Sequence, residues 1–286
     1  MTRQTGVPPQ PRPKRSLGQH FLRDKTYLER MLQAAEISTG DCVLEIGPGT
    51  GVLTAALAAT GADVTAVELD DLLAEKLAEE YADEPNVTIV HGDILEIDLV
   101  TLVGADTSND RGRVHARGYK SGYKVVANLP YYITSAILRR LLEAKPPPAS
   151  ATIMVQKEVA ERICAEPGDM SLLAVSVQYY AAPHFVTVVP AGAFYPRPKV
   201  DSAIVRLDVH ARPIIDGVSN DRYFAVVRAG FSQRRKQVAN SLSAGLAMPK
   251  QQVRDALEGA DIDPRRRAET FSLQEWRTIC VALGHT

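Results

Sequence analysis

Val43-Leu44-Glu45-Ile46-Gly47-Pro48-Gly49-Thr50-Gly51 is a short, largely apolar run that opens straight into a glycine-rich turn, and residues 52–59 beyond it have helical spacing. An apolar run of this length reads as a buried strand. Glycines placed immediately after it let the backbone turn sharply and come close to a ligand. Two common phosphate-binding frames do not fit the turn. A dinucleotide fingerprint counted from Gly47 needs a third glycine where Val52 stands, and no Gly-Lys-Ser/Thr follows to make a P-loop.

Along the rest of the chain, short apolar runs recur at 43–46, 64–67, 87–90, 124–127 and 152–155. Helical stretches at 52–59, 70–82, 134–144 and 157–165 alternate with them. Strands alternating with helices predict crossover connections and a parallel sheet covered on both faces. A further helix is predicted over 171–181, then two β-rich runs at 184–189 and 200–209, which brings the strands to seven. Ahead of the first strand, Leu28, Met31, Leu32 and Ala35 lie on one face of a helix starting near Asp24. The fold class expected is α/β, a Rossmann-like sheet of seven mostly parallel strands with a smaller all-helical C-terminal domain.

After Arg212-Pro213 the strand signal stops. One helix is predicted over 221–245 and another over 250–258, and Ser272-Leu-Gln-Glu275 reads as a capping box opening the last. Asp263-Pro264 reads as a cap with proline at the first helical position, with Arg265, Arg266 and Arg267 in the first turn. Residues 1–15 are rich in proline and polar groups and read as a disordered basic arm. Residues 103–120 carry few apolar positions and read as a mobile insertion. The chain thus divides at 1–15, 16–211 and 212–286.

Charge follows the same boundaries. The formal net charge is -1, but residues 1–25 carry +5, residues 26–211 carry -10 and residues 212–286 carry +4. Basic ends flanking an acidic middle suggest a polyanionic partner, with Arg234, Arg235, Lys236 and Arg265 to Arg267 as phosphate contacts. With 45% apolar and 23% charged residues the composition is that of a globular protein, which argues against fibrous or wholly disordered classes. No apolar run is long enough for a membrane span, and the first residues have no apolar core of a signal peptide. Cys42, Cys164 and Cys280 lie far apart without metal or disulfide spacing, so a reduced, cytoplasmic location without membrane or metal is expected.

Three consecutive strand ends carry chemistry. The glycines close the first, Glu68 closes the second and Gly92-Asp93 follows the third. A carboxylate at Glu68 suits the two hydroxyls of a ribose, and Asp93 suits an adenine amino group. The fourth strand ends in Asn128-Leu129-Pro130-Tyr131. An exocyclic amine is a poor nucleophile because its lone pair is delocalised into the ring. The Asn128 side-chain oxygen and a backbone carbonyl beside Pro130 are suited to hold its two N–H groups and aim the nitrogen at a methyl donor, with Tyr131 stacked on the base.

These motifs together resemble the KsgA/RsmA family of ribosomal RNA small subunit adenine N6,N6-dimethyltransferases. The matching segments are Ser16-Leu-Gly-Gln-His-Phe-Leu22, the glycine turn, Glu68, Gly92-Asp93 and Asn128-Leu-Pro-Tyr-Tyr-Ile-Thr134. Met154-Val-Gln-Lys-Glu-Val159, Phe194-Tyr-Pro-Arg-Pro-Lys-Val-Asp-Ser202, Phe231-Ser-Gln-Arg-Arg-Lys236 and Arg267-Ala-Glu269 continue the match in order. The resemblance implies a class I methyltransferase domain over 16–211 and a helical RNA- and ribosome-binding domain over 212–286. It implies S-adenosyl-L-methionine as cofactor, held by His20, Leu22, Gly47, Gly49, Gly51, Glu68, Asp93 and Asn128. Catalysis then falls to Asn128, Leu129, Pro130 and Tyr131. The implied substrate is two adjacent adenosines in the 3′-terminal hairpin of 16S rRNA, met by a monomer in the immature small subunit. His20 stands where the family often has Asn, and the 103–120 segment departs in length. Two other readings stay open: an erythromycin-resistance type enzyme acting on large-subunit RNA, and a non-catalytic assembly or transcription factor on the same fold.

Overall fold

In a computed structural model the described residues are 19–102, 122–212 and 215–284. The expectations for the arm at 1–15 and for the 103–120 insertion fall outside them. The elements run β1 (Phe21–Leu22), α1 (Lys25–Ala35), β2 (Cys42–Ile46), α2 (Val52–Ala58), β3 (Asp63–Glu68), α3 (Asp71–Glu80) and β4 (Val87–His91). There follow α4 (Leu99–Leu102), β5 (Lys124–Asn128), α5 (Thr134–Leu142), β6 (Ser150–Gln156), α6 (Lys157–Ile163), α7 (Leu172–Gln178), β7 (Ala181–Val189), β8 (Phe194–Tyr195) and β9 (Ser202–Val209). Four helices close the chain: α8 (Asn220–Phe231), α9 (Val238–Gly245), α10 (Lys250–Gly259) and α11 (Leu273–Ala282).

The seven expected strands make one sheet of order β4-β3-β2-β5-β6-β9-β7, in which β9 alone runs against the rest. Successive side chains of a strand point to opposite faces, and the core divides accordingly. Leu44, Ile46, Val125, Ala127, Ile153 and Val155 pack with α5, α6 and part of α7. Val43, Val64, Val126, Met154 and Ile204 pack with Met31 and Ala35 of α1 and Leu57 of α2. The chain order reverses between β2 and β5, and in open sheets of this kind ligands collect in the crevice at the carboxyl ends beside that reversal.

The sequence reading missed a two-residue ladder. Phe21 pairs with Tyr195 and Leu22 with Phe194, so β1 and β8 form a small antiparallel strap. A two-residue strand has no periodicity to detect. Asp24 caps α1 as expected, its side chain accepting from Thr26 N at 2.9 Å.

In the helical part the predicted 221–245 helix is two helices, α8 and α9. The six polar residues from Ser232 to Gln237 offer nothing apolar to hold the middle of a straight rod on the core. Ser232 instead ends α8 by donating its hydroxyl to Ala229 O at 2.7 Å. Folding back lets Val226 and Val227 share a core with Val238 and Leu242, alongside Met170, Ala174, Val175 and Tyr179 from the preceding segment. Arg234, Arg235 and Lys236 therefore lie on a connecting turn and are exposed. The helix expected from Pro264 is also absent. Residues 264–266 form a turn, and carbonyls of that turn serve the first N–H groups of α9, Val238 N to Arg266 O at 2.7 Å and Ala239 N to Pro264 O at 3.3 Å. The capping box at Ser272 and Glu275 is present, with bonds of 2.8 and 3.2 Å.

Gly230 shows how closely the helices pack. A Cβ there would sit 2.3 Å from Cη2 of the buried Trp276. Gly→Ala inside a helix ordinarily stabilises by roughly 0.5–1 kcal/mol. The clash reverses the sign, and Gly230→Ala is expected to destabilise by about 1–3 kcal/mol. Gly259, with nothing within 4 Å of its would-be Cβ, is the control. Urea unfolding of both variants measures the difference, and a Gly230→Ala protein as stable as the parent would contradict the packing.

Candidate active site

The carboxyl ends of β2, β3, β4 and β5 lie on one rim because their parallel register is in step, with Ile46 opposite Val67 and Ala127, and Glu68 opposite His91. An open cleft of about 1120 Å³ lies over this rim. His20, Leu22, Gly47, Gly49, Glu68, Asp93, Asn128, Leu129, Pro130 and Tyr131 all line it. Gly51 does not belong to the lining. Its φ of 81° and its contact with Leu77, 2.7 Å from a would-be Cβ, make it a packing position at the start of α2.

Glu68 is the anchor of the rim. Only 5% exposed, it accepts from Gly49 N through Oε2 and from Asp70 N through Oε1, both at 2.9 Å. Burial pushes its carboxyl above the ordinary range, and the two N–H groups pull it back. Each carboxylate oxygen has a second lone pair, so further donors can be taken. Gly49 itself holds φ 59°, a conformation natural to glycine, and Phe21 of the strap lies 2.9 Å from where its Cβ would be. Asp93 is half-buried, with Oδ1 accepting from Leu95 N at 2.8 Å.

The strap crosses the cleft beside Asn128. The amide Nδ2 of Asn128 donates to His20 O at 3.0 Å, which turns Oδ1 into the outward acceptor. His20 donates from Nδ1 to Pro196 O at 2.7 Å, and its ring stacks on Tyr131 at 5.7 Å with 25° between planes. The carbonyl of Pro130 already accepts from Thr134 Oγ1 at 3.1 Å and from Ile133 N at 3.3 Å. The Leu129 side chain is buried in the core.

Glu45 was not singled out from sequence as a site residue. It lines the cleft beneath the glycine turn, 1% exposed, and neither carboxyl oxygen has a hydrogen-bond partner among the described residues. Burial pushes its carboxyl up to about 8, with the Thr54 hydroxyl opposing and the charge of Glu68 adding. A charged letter inside the run Val-Leu-Glu-Ile was the available signal. Together Glu45, Glu68 and Asp93 give the cleft three carboxyls, while no Lys or Arg stands among its described lining residues. Such a lining suits a cationic ligand carrying sugar and base, and repels a pyrophosphate.

The basic clusters are brought together at one end of the helical part by the hydrogen bonds from Val238 and Ala239 to the 264–266 turn. Their side chains differ in availability. Arg266 is engaged by Thr270, by Glu275 and by the Phe271 ring at 4.2 Å. Arg265 grips Asp263 at 3.1 Å and Arg267 lies 3.8 Å from Glu269.

Residues 11–281 match the family model described as ribosomal RNA adenine dimethylase. The chain is 47% identical over 268 residues to a ribosomal RNA small subunit methyltransferase A of Dehalococcoides mccartyi, covering 94% of this chain and 87% of that protein. The protein of the same name from Moorella thermoacetica is 44% identical over 275 residues, covering 96% of this chain and 93% of that protein. Among solved structures, the 23S rRNA methyltransferase ErmE matches with a TM-score of 0.70 and 31% identity, over 93% of this chain and 100% of that one. A dimethyladenosine transferase from Plasmodium falciparum matches with a TM-score of 0.72 and 25% identity, over 91% of this chain and 96% of that one. A family match spanning nearly the whole chain, laid over a rim that gathers glycine turn, carboxylates and Asn128 into one cleft, places the protein in the ribosomal RNA adenine dimethylase family.

Proposed function

We propose that this protein dimethylates N6 of two adjacent adenosines in the 3′-terminal hairpin of 16S rRNA, acting as a monomer on the immature small subunit. The observation that carries the reading is the Asn128 amide, which lines the cleft and whose Nδ2 is taken by His20 O, leaving Oδ1 as its acceptor. Residues 16–211 form the catalytic domain and 212–286 the RNA-binding domain.

S-adenosylmethionine supplies an electrophilic methyl group on a sulfonium. The acidic, lysine- and arginine-free lining suits its positive charge. Glu68 would take the ribose hydroxyls on its remaining lone pairs and Asp93 the adenine amine, with Gly47 and Gly49 letting the main chain come close. His20 and Leu22 close the cleft from the strap. On the substrate side Asn128 Oδ1 and the Leu129 carbonyl accept the two N–H groups of the target amine. Pro130 O, already serving Thr134 and Ile133, leaves that second place to Leu129. Tyr131 supports the base. No side-chain base is required before attack: the N6 lone pair forms the new N–C bond as the methyl–sulfur bond breaks to leave a neutral thioether, and the cationic N6 then gives its proton to solvent, so the residues act by orienting the amine.

The likeness to ErmE keeps large-subunit RNA as the second reading. Incubating the protein with labelled S-adenosylmethionine and each unmethylated subunit separates the two. Label is expected on two adjacent adenines of the small subunit, and label confined to the large subunit would overturn the assignment. In the same assay Asn128→Ala is expected to bind subunits normally yet lose single-turnover transfer, because the basic surface and not the amide supplies the RNA affinity.

Glu68→Ala should weaken cofactor binding by about 1.5–3 kcal/mol, the value of a hydrogen bond to a charged group. Calorimetric titration of the folded variant is the measurement, with unchanged affinity as the contrary result.

Exposed Arg234, Arg235 and Lys236 are the RNA contacts of choice, whereas Arg265, Arg266 and Arg267 hold partners of their own. Replacing the first three by Ala should lower subunit affinity and flatten its dependence on salt by roughly 0.7–0.9 in log-log slope for each phosphate no longer neutralised. Subunit binding across a salt series tests this, with a folded triple variant of unaltered slope counting against it.

A further inference from the structure

The segment Pro196–Ser202 has no part in the chemistry described so far, yet both rings at the substrate side of the cleft are fastened to it. Pro196 O holds the His20 imidazole at 2.7 Å, and Ser202 Oγ meets the Tyr131 hydroxyl at 2.7 Å. The two rings lie face to face at 25°. Ser202 is the first residue of β9, fully buried, and paired on both sides, with Gln156 of β6 and Val189 of β7. Tyr131, in contrast, sits on the turn that follows β5 and is only partly buried. The hydrogen bond thus joins a ring on a loop to an atom held on both sides by the sheet.

We propose that Ser202 is a positioning residue for methyl transfer, its hydroxyl fixing the place of the Tyr131 ring on which the target base rests. The inference rests on the reading of Asn128 to Tyr131 as the target-base site. A tyrosine ring on a turn rotates about two side-chain bonds, and a base lying on it moves with it. The amine must stay within the reach of Asn128 Oδ1 while its nitrogen lines up with the methyl group, and a displacement of about 1 Å can cost on the order of a hundredfold in rate. Tying the outer end of the ring to the sheet stops the swing about Cα–Cβ, while the stacked His20 ring opposes the turn about Cβ–Cγ. Burial holds the Tyr131 phenol above its ordinary range, with the Ser202 hydrogen bond opposing, so the hydroxyl keeps its proton at neutral pH. Either oxygen then has a proton to give the other.

The test is a double-mutant cycle on the single-turnover rate, at saturating cofactor and small subunits, with Ser202→Ala, Tyr131→Phe and the pair combined. Each single variant is expected to slow transfer by roughly tenfold. The double variant should be no slower than the worse single one, since both remove the same hydrogen bond. Cofactor affinity by calorimetry and half-saturation by subunits should stay within about twofold, because the two hydroxyls hold each other and neither ligand directly. Ser202→Thr, which keeps the hydroxyl, should recover most of the rate.

Rate losses that multiply in the double variant, or a folded Ser202→Ala protein that transfers at the parental rate, would overturn the proposal. Should Ser202→Ala fail to fold, Tyr131→Phe alone still decides, since a parental rate there shows that the hydroxyl positions nothing. Tyr131→Ala separates the two levels of inference. If removing the whole ring leaves the rate unchanged, the target-base reading itself is wrong. If it abolishes transfer while Ser202→Ala transfers at the parental rate, only the role of Ser202 falls.

Discussion

The carboxylate of Glu68 ties two strand ends together, and the rest of the site follows from that tie. One oxygen holds Gly49 in the turn after β2, and the other holds Asp70 at the start of α3. Asp70 in turn accepts from the Gln19 side chain at 3.1 Å, next to His20, whose carbonyl orients Asn128. A chain of hydrogen bonds therefore runs from the glycine turn, through the strap, to Asn128 at the end of β5. Hydrogen bonds to a buried carboxylate are stronger than those between neutral groups and are poorly replaced by water. Both halves of the cleft are built from one buried charge.

That placement has an electrostatic cost. Glu45 is buried in the same cleft, and the charge of Glu68 adds to the difficulty of ionising it in a medium that solvates charge poorly. The sheet core accepts one carboxylate satisfied by N–H groups. It holds the second, Glu45, as a neutral acid over most of the physiological range. A ligand with a sulfonium and an ammonium group meets this surface with attraction, and the exposed cations of the α8–α9 turn lie outside the cleft lining.

The sheet was legible because a parallel strand buried on both faces leaves an apolar run in the sequence. Five strands and the alternating helices could be read in that way, β7 and β9 as β-rich runs, and the rim residues because they stand at the ends of the apolar runs. What stayed hidden depended on contacts between distant segments. The strap of Phe21–Leu22 exists only through its pairing with Phe194–Tyr195. The break between α8 and α9 was hidden by continuous helical propensity, and only the need to bring Val226 and Val238 to one core fixes it. Pro264 was read as a helix start because its local chemistry is the same in a turn. Arg266 looked like a phosphate contact because sequence does not show Glu275, Thr270 and Phe271 around it. Ser202 was read only as part of a recurring motif, with no sign that it meets Tyr131.

The strap also sets an order in time. His20 and Pro196 are 176 residues apart, and Asn128 and His20 are 108 apart, so these bonds close large loops. Contacts of such separation are formed late, after the local helices and neighbouring strands are in place. During synthesis the glycine turn, Glu68 and Asn128 all emerge well before Pro196 and Ser202. A nascent chain can therefore gather most of the cofactor cleft while its Asn128 amide is still unoriented and its Tyr131 ring untethered. The strap and its ties are complete only with the last strands of the sheet, when the segment around β8 and β9 closes back upon the start of the fold.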